Sequence, residues 1–194
     1  MEIGFIKCHG SGNEFVMTDS VACDMSRVAL DALAVHACDR TTGIGADGLL
    51  VLVRNDAGVY GMRMFNPDGS EAEMCGNGIR CFVKFIIEKG IVPAPDVSVE
   101  TLSGIKKTHA ELSDGAVVRI GVNMGEPKLD CADIPVSAEG DFLQKSLYSH
   151  GRRFIVSCVN TGIPHTVVFV DDVDLTDVEY YGRGIEPVSY THLT

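Results

Sequence analysis

The fold is decided by one stretch of the sequence, Asn66-Pro-Asp-Gly-Ser-Glu-Ala-Glu-Met-Cys-Gly-Asn-Gly-Ile-Arg-Cys-Phe82. It follows a strand-like run at 60–65 and opens with a turn at 66–70, because proline fixes φ and glycine permits positive φ. From Gly78 onward apolar residues recur at helical spacing, and Gly90 is a typical stop for such a helix. We therefore expect a strand, a turn and a largely apolar helix in succession.

Cys75 lies at the entry to this predicted helix, beside Gly76, Asn77 and Gly78. A thiol there faces unpaired N–H groups and the positive end of the helix dipole, so we expect a lowered pKa and thiolate character. The glycines let backbone amides approach a ligand carboxylate closely. Free cysteines are more commonly small buried apolar residues. We expect that ordinary role for three others: Cys23, Cys38 and Cys81.

Composition limits the possible partners. The net charge of −11 and the pI near 4.8 argue against nucleic acid and against an anionic membrane surface. Seven cysteines are scattered without a C-x-x-C pair or Cys/His ligand spacing, so we predict no metal site and a reducing cytoplasm. No apolar run reaches the length of about 18 residues that is needed to span a bilayer.

The first third of the chain predicts a hairpin and a helix. A strand at 2–7, a glycine-containing loop and a strand at 15–18 are typical of a hairpin. Asn13 at its tip is either a turn residue in the left-handed region or an amide that faces a ligand. A helix capped by Asp24 or Ser26 is expected to run to about Arg40.

One glycine-rich loop has the spacing of a dinucleotide-binding motif. The sequence Gly43-Ile-Gly-Ala-Asp-Gly48 spells G-x-G-x-x-G, but a strand follows it where the dinucleotide fingerprint requires a helix, so a Rossmann site is rejected.

A domain boundary is predicted near 123–127, which divides the chain into domains 1–122 and 123–194. Apolar strands at 153–159 and 166–170 lack a helix to pack against, and 189–194 end without a cap, so we expect a chain that is cut short or ends in non-native sequence.

A second cluster of chemical interest is Asn160-Thr-Gly-Ile-Pro-His165, between the last two predicted strands. Asn160 is a candidate ligand contact, and His165 either orients a substrate or is an ordinary hydrogen-bonded imidazole. A cysteine with a His base and an orienting Asn would suit nucleophilic catalysis. Cys75 would equally suit acid/base removal of a proton from carbon, for which a second group must reprotonate the opposite face. Both alternatives stay open at this point.

Four blocks together resemble the diaminopimelate epimerase family. They occur in the family's order and are Gly10-Ser-Gly-Asn-Glu-Phe, Gly43-Ile-Gly-Ala-Asp-Gly, the 66–81 block and Asn160-Thr-Gly-Ile-Pro-His. The resemblance implies an α+β fold in which a curved mixed sheet wraps around a central helix, in two similar domains of which the second is incomplete here. It implies a cofactor-independent isomerase that converts L,L-diaminopimelate to the meso form for lysine and peptidoglycan synthesis. Homodimerisation is left open.

The resemblance also assigns roles to seven residues. Cys75 resembles one member of an acid/base thiol pair, and His165 matches a His near the reacting centre. Gly76 and Asn77 resemble the backbone cradle for the substrate carboxylate. The substrate-binding amides are expected to be Asn13, Asn66 and Asn160.

The block that holds the family's second thiol has no match in these 194 residues. We therefore expect the printed chain to be a poor or inactive epimerase. Three alternatives share parts of the pattern. These are a related amino-acid racemase, against which Asn77 and Ile79-Arg80 speak, a cysteine hydrolase, and a non-catalytic amino-acid-binding fragment.

Overall fold

A computed structural model describes residues 2–185 of the chain, which divide into two compact units, one ending at Met124 and the other beginning at Gly125. The elements of the first unit are, in chain order, β1 (Phe5–Gly10), β2 (Asn13–Asp19), α1 (Leu30–Cys38), β3 (Gly48–Arg54), β4 (Tyr60–Phe65), β5 (Glu71–Ala72), α2 (Gly76–Glu88), β6 (Asp96–Thr101), β7 (Gly104–Ser113) and β8 (Ala116–Val122).

These strands form one mixed sheet that curves around α2. Its order is β1-β2-β3-β4-β6-β7-β8, with β5 beside β4, and the β2–β3 and β4–β6 pairs are parallel. Laid flat, seven strands would span roughly 29 Å, whereas a helix is only about 10–12 Å across. Yet α2 reaches both edges. A Cβ built on Gly10 of β1 would lie 3.0 Å from the Asn77 oxygen, and Lys84 Nζ donates to the Val117 oxygen of β8 at 2.8 Å. The expected curved α+β fold is confirmed.

The central helix is held by one fully buried stripe. Its members recur at positions i, i+3, i+4 and i+7 and are all inaccessible to solvent: Ile79, Phe82, Val83 and Ile86. They pack with buried side chains of β2, β3, β4 and β6. Burial of each such side chain is worth about 1.5–3 kcal/mol. The helix predicted from Gly78 is therefore confirmed, although it begins two residues earlier, at Gly76.

The end of α2 is a Schellman motif. The Gly90 N–H donates to the Ile87 oxygen at 2.8 Å, and the Ile91 N–H donates to the Ile86 oxygen at 2.9 Å. Gly90 has a φ of 68°, which glycine adopts without the steric penalty of a side chain. The predicted glycine stop is confirmed.

The predicted N-terminal hairpin is also confirmed, with different bounds. β1 and β2 pair antiparallel with Gly10 opposite Asn13. The turn between them consists of Ser11 and Gly12, with φ values of 55° and 84°, and two positive values are what a type I′ turn requires. Asn13 is therefore the first residue of β2 and not the left-handed turn residue.

The predicted start of the first helix is wrong. α1 begins at Leu30, and the Asp24 carboxylate instead accepts the Ser26 N–H at 3.0 Å in a local turn. Short polar side chains can satisfy nearby backbone groups in this way without starting a helix. Further along the first unit, β5 and β7 were not predicted from the sequence.

The second unit has its own sheet and core. Its elements are a 3-10 turn (Cys131–Asp133), β9 (Lys145–Ser149), β10 (Arg152–Asn160), β11 (Pro164–Val168) and α3 (Val178–Ile185), and the antiparallel sheet has the order β11-β10-β9. The predicted strands at 153–159 and 166–170 correspond to β10 and β11. The expectation that no helix covers them is wrong, because Ile185 and Tyr181 of α3 pack on this core. The predicted chain end at 189–194 lies outside the described residues.

One fold prediction concerns Gly43, where the chain doubles back over the end of α1. A Cβ at this position would collide with the His36 oxygen and lie 2.8 Å from the Asp39 oxygen. Since backbone cannot yield as a side chain can, we expect Gly43→Ala to lower the free energy of unfolding by about 1–3 kcal/mol. Urea denaturation would measure it. Gly4→Ala is the matched control, because a Cβ on Gly4 meets no described atom within 4 Å. Equal stability of the two variants would contradict this packing.

Candidate active site

Cys75 is the N-cap residue of α2. Its backbone is extended, with a φ of −140° and a ψ of 116°, and its sulfur accepts the Gly78 N–H at 3.4 Å. A sulfur in this position replaces the hydroxyl or carboxylate oxygen that usually caps a helix. A Cβ on Gly78 would lie 3.2 Å from Leu50 of β3, so glycine at this position allows the first turn of α2 to pack closely against that strand. The half-buried thiol is thus held at the start of the central helix, as the sequence predicted.

The two N–H groups beside this sulfur are open. Among residues 2–185, the backbone N–H groups of Gly76 and Asn77 have no protein acceptor, which is the usual state of the first helical residues. A Cβ on Gly76 would meet no described atom within 4 Å, so space remains above it. Unpaired donors at a helix N-terminus suit a carboxylate or a developing negative charge.

Asn13 comes next to the thiol. The Cys75 sulfur lies 3.8 Å from Asn13 Oδ1, close enough for the thiol to donate to that oxygen. The Asn13 Nδ2 group donates to Asp47 Oδ2 at 3.1 Å. Because Asp47 can only accept, this bond turns the amide oxygen of Asn13 towards the sulfur. The structure therefore joins two of the predicted site residues and adds a third residue that was not predicted.

Asp47 is itself held from two sides. It accepts the Glu14 N–H at 2.8 Å, and its other oxygen accepts from Arg40 at 2.8 Å. The hydrogen bond from the Glu14 N–H, followed by those from Asn13 and Arg40, holds the pKa of Asp47 below its ordinary value. Arg40 also bonds to Glu14 at 2.7 Å, and this contact lowers the pKa of Glu14. Asp47 is therefore an ionised acceptor at neutral pH.

Arg80 joins the hairpin turn to the start of α2. It donates to the Gly76 oxygen at 2.9 Å and to Ser11 Oγ at 3.3 Å, and it forms a short hydrogen bond to Asn77 Oδ1. The Oδ1 atom of Asn77 is therefore turned towards Arg80, while the backbone N–H of Asn77 stays open. Arg80 was expected only to separate related families, and this role was not predicted.

The structure gives Asn66 a local partner. Its Nδ2 group donates to Ser70 Oγ at 2.9 Å, and its backbone N–H closes the turn by donating to the carbonyl oxygen of Ser70 at 2.8 Å. Gly69 has a φ of 87°, as the sequence led us to expect for this turn. The contacts of Asn66 are thus those of a turn residue, and its predicted substrate contact stays a prediction.

The remaining two predicted residues belong to the second unit. Asn160 donates through Nδ2 to the Asp133 oxygen at 2.8 Å and accepts the Gly162 N–H at 2.9 Å, so its side chain ties the loop together. His165 is exposed on β11 and lines a cavity of about 430 Å³ with Phe154, among other apolar residues. Their predicted roles towards substrate stay predictions.

The cysteines outside this site differ in their burial. Cys38 is buried, as predicted, and its burial raises the pKa of its thiol. The same prediction is wrong for Cys23 and Cys81, which are partly exposed. Cys81 lies on the flank of α2 outside the buried stripe. Within residues 2–185 no three His, Cys, Asp or Glu side chains are placed to hold a metal ion, and no helix is long and apolar enough to cross a membrane.

Known sequences resemble this chain closely. The family model described as diaminopimelate epimerase matches residues 5–129. A diaminopimelate epimerase of Alkaliphilus metalliredigens is 42% identical over 187 residues, which cover 96% of this chain and 66% of the relative. One of Methanocella arvoryzae is 44% identical over 177 residues, with 91% and 61% covered. The chain therefore spans somewhat less than two thirds of the length of these curated relatives.

Solved structures resemble it in fold. A hydroxyproline epimerase from Agrobacterium vitis has a TM-score of 0.64 at 16% identity, covering 90% of this chain and 53% of that one. A Bacillus anthracis phenazine biosynthesis protein of the PhzF family also has a TM-score of 0.64 at 16% identity, with 97% and 64% covered. At this identity the likeness extends to the fold alone.

A prediction follows for the bond between Asp47 and Asn13. The depressed pKa of Asp47 means that its stabilising contribution is present above its unfolded pKa of about 3.9 and is lost as the pH falls through the lower folded value. We expect the side-chain amide signal of Asn13 in NMR spectra to shift with a midpoint below about pH 3.9. Asp47→Asn removes this titration.

The matched control is Asp24→Asn, which also removes a carboxylate with a lowered pKa in the first unit but contacts Ser26 instead. It should leave the Asn13 titration in place. A signal that titrates identically in Asp47→Asn would show that this carboxylate does not orient Asn13.

Proposed function

Because this chain belongs to the diaminopimelate epimerase family, we propose that it contributes Cys75 as an acid/base thiol to the epimerisation of L,L-diaminopimelate to meso-diaminopimelate. The observation that carries the proposal is the position of the Cys75 sulfur. It caps α2, accepts the Gly78 N–H and lies against Asn13 Oδ1. The Gly78 N–H occupies one lone pair of the sulfur and Asn13 Oδ1 orients the S–H bond, which leaves the remaining lone pair for a substrate proton.

The chemical step is a proton transfer from carbon. The Cys75 thiolate takes the α-proton, the C–H electron pair stays on carbon, and the sulfur becomes a thiol. Reprotonation of the opposite face by a second thiol inverts the centre. The printed sequence contains no block that matches the one holding the family's second thiol.

The start of α2 suits the charge that develops in this step. The open N–H groups of Gly76 and Asn77 are aimed where the substrate carboxylate would bind, and negative charge from the carbanion spreads onto that carboxylate. No metal or organic cofactor is part of the proposal. Asn13 accepts from the Cys75 thiol once the proton has arrived, and Asp47 keeps the amide in that orientation.

The domain assignment and the remaining substrate contacts also rest on membership of the diaminopimelate epimerase family. We assign residues 1–122 to the N-terminal epimerase domain and 123–194 to part of the C-terminal one, with Asn66, Asn160 and His165 as further substrate contacts. An amino-acid substrate agrees with the family's name, and diaminopimelate is the specific one proposed, for lysine and peptidoglycan synthesis. A reducing cytoplasm is the proposed site of action.

The test uses a chimera that joins this chain to the remaining C-terminal third of the Alkaliphilus metalliredigens relative. Epimerisation of L,L-diaminopimelate is followed by chiral chromatography. We expect Cys75→Ser to lower the rate by roughly 10²–10⁴-fold, the range typical of a lost acid/base group.

Cys23→Ser is the matched control, since it removes another partly exposed thiol of the first unit whose partner is the Glu2 oxygen. It should retain the rate of the unsubstituted chimera. A Cys75→Ser chimera as active as the Cys23→Ser chimera would refute the role of Cys75.

A further inference from the structure

A second pair of thiols lies outside the proposed active site. Cys8 belongs to β1 and Cys81 to α2, and their thiols are adjacent, with the Cys8 thiol donating to the Phe15 oxygen at 3.8 Å. Neither sulfur contacts Cys75, whose partners are Gly78 and Asn13. The proposed epimerisation makes no use of this pair.

The pair is within reach of small molecules. Both cysteines are partly exposed, and both line a cavity of about 480 Å³ together with His9 and Lys84. Cys81 also borders a second cavity, of about 340 Å³, whose wall includes Arg80. A small oxidant therefore has access to the Cys81 sulfur from two sides.

The pKa values of the two thiols are shifted in opposite directions. The adjacent Cys8 thiol, followed by the nearby Arg80 cation, lowers the pKa of Cys81 to about 7, although burial acts against it. The contact with Cys81, with burial, raises the pKa of Cys8 well above its ordinary value. The other titratable groups on the cavity wall are His9, Lys84, Glu88 and Lys89. The Arg80 cation therefore favours a thiolate at Cys81 over one at Cys8.

We propose that Cys81 and Cys8 form a peroxide-sensitive pair, in which Cys81 reacts first and Cys8 then closes a disulfide between α2 and β1. The Cys81 thiolate attacks hydrogen peroxide, an S–O bond forms, the O–O bond breaks and hydroxide leaves, which gives a sulfenic acid. The Cys8 sulfur then attacks the Cys81 sulfur, the S–O bond breaks, and water leaves with the Cys8 proton. Peroxide receives both electrons that the two sulfurs lose.

The disulfide would fasten the hairpin to the central helix. β1 already approaches α2 at Gly10, where a Cβ would lie 3.3 Å from the Cys81 sulfur. The turn that follows is held to the same helix by the bond from Arg80 to Ser11. The covalent link would add to these existing contacts between β1 and α2. It is a modification site distinct from the Cys75 thiol, and it holds whether or not the proposed epimerisation is correct.

The test treats the 194-residue chain with hydrogen peroxide near neutral pH and maps its peptides by mass spectrometry without reduction. We expect a peptide pair linked through Cys8 and Cys81 that separates on treatment with dithiothreitol. In Cys8→Ser the reaction stops at the Cys81 sulfenic acid, which dimedone traps. Cys23→Ser, the control for a partly exposed thiol of the same unit, retains the linked pair. Oxidation of Cys23 or Cys75 while Cys81 stays reduced would overturn the proposal.

A second measurement needs no substitution. The alkylation of each cysteine by iodoacetamide is followed against pH in the unmodified chain. We expect the labelling of Cys81 to be half-maximal at about pH 7. Cys8 should react slower than Cys81 by at least on the order of tenfold at that pH, since one pKa unit is a tenfold difference in thiolate. Equal labelling of Cys8 and Cys81 throughout would also overturn the proposal.

Discussion

The close seating of α2 in the curved sheet is the constraint on which the first unit depends. Its buried stripe sets which face of the helix turns inward, and the glycines at its start set how near the strands can come. Gly78 packs against Leu50 of β3, and Gly10 of β1 approaches the Asn77 oxygen. Because the helix begins at this contact, its N-cap sulfur and its open N–H groups are presented at one defined place.

The surroundings of that sulfur come from the starts of two neighbouring strands. β2 and β3 are parallel neighbours, which brings Asp47, at the entry to β3, next to Asn13 at the start of β2. Asp47 then orients the Asn13 amide that contacts Cys75, while Arg80 holds the hairpin turn that precedes Asn13. The position of the Cys75 thiol therefore depends on residues from three separate parts of the sequence.

Local patterns predicted the parts of this arrangement that are local in sequence. The turn at 66–70, the apolar stripe of α2 and its glycine stop follow from proline, glycine and helical spacing, and so does the position of Cys75. Asp47 was not predicted, because its partner Asn13 lies 34 residues away in the sequence. The sequence of neither strand indicates that β2 and β3 pair in parallel. The start of α1 was misplaced because Asp24 caps a turn as readily as a helix. Cys81 was expected to be buried, although the spacing of the stripe already excluded it from the inward face.

Proton transfer between Cys75 and the α-carbon of the substrate is tested most directly by exchange with deuterated solvent. Diaminopimelate would be incubated with the chimera in deuterium oxide, and its α-carbon examined by NMR and mass spectrometry. We expect deuterium at the inverted centre, absent when Cys75 is replaced by Ser, and no covalent adduct on the enzyme. An acyl group trapped on Cys75, with ordinary hydrogen retained at the α-carbon, would contradict the acid/base role and indicate a cysteine hydrolase instead.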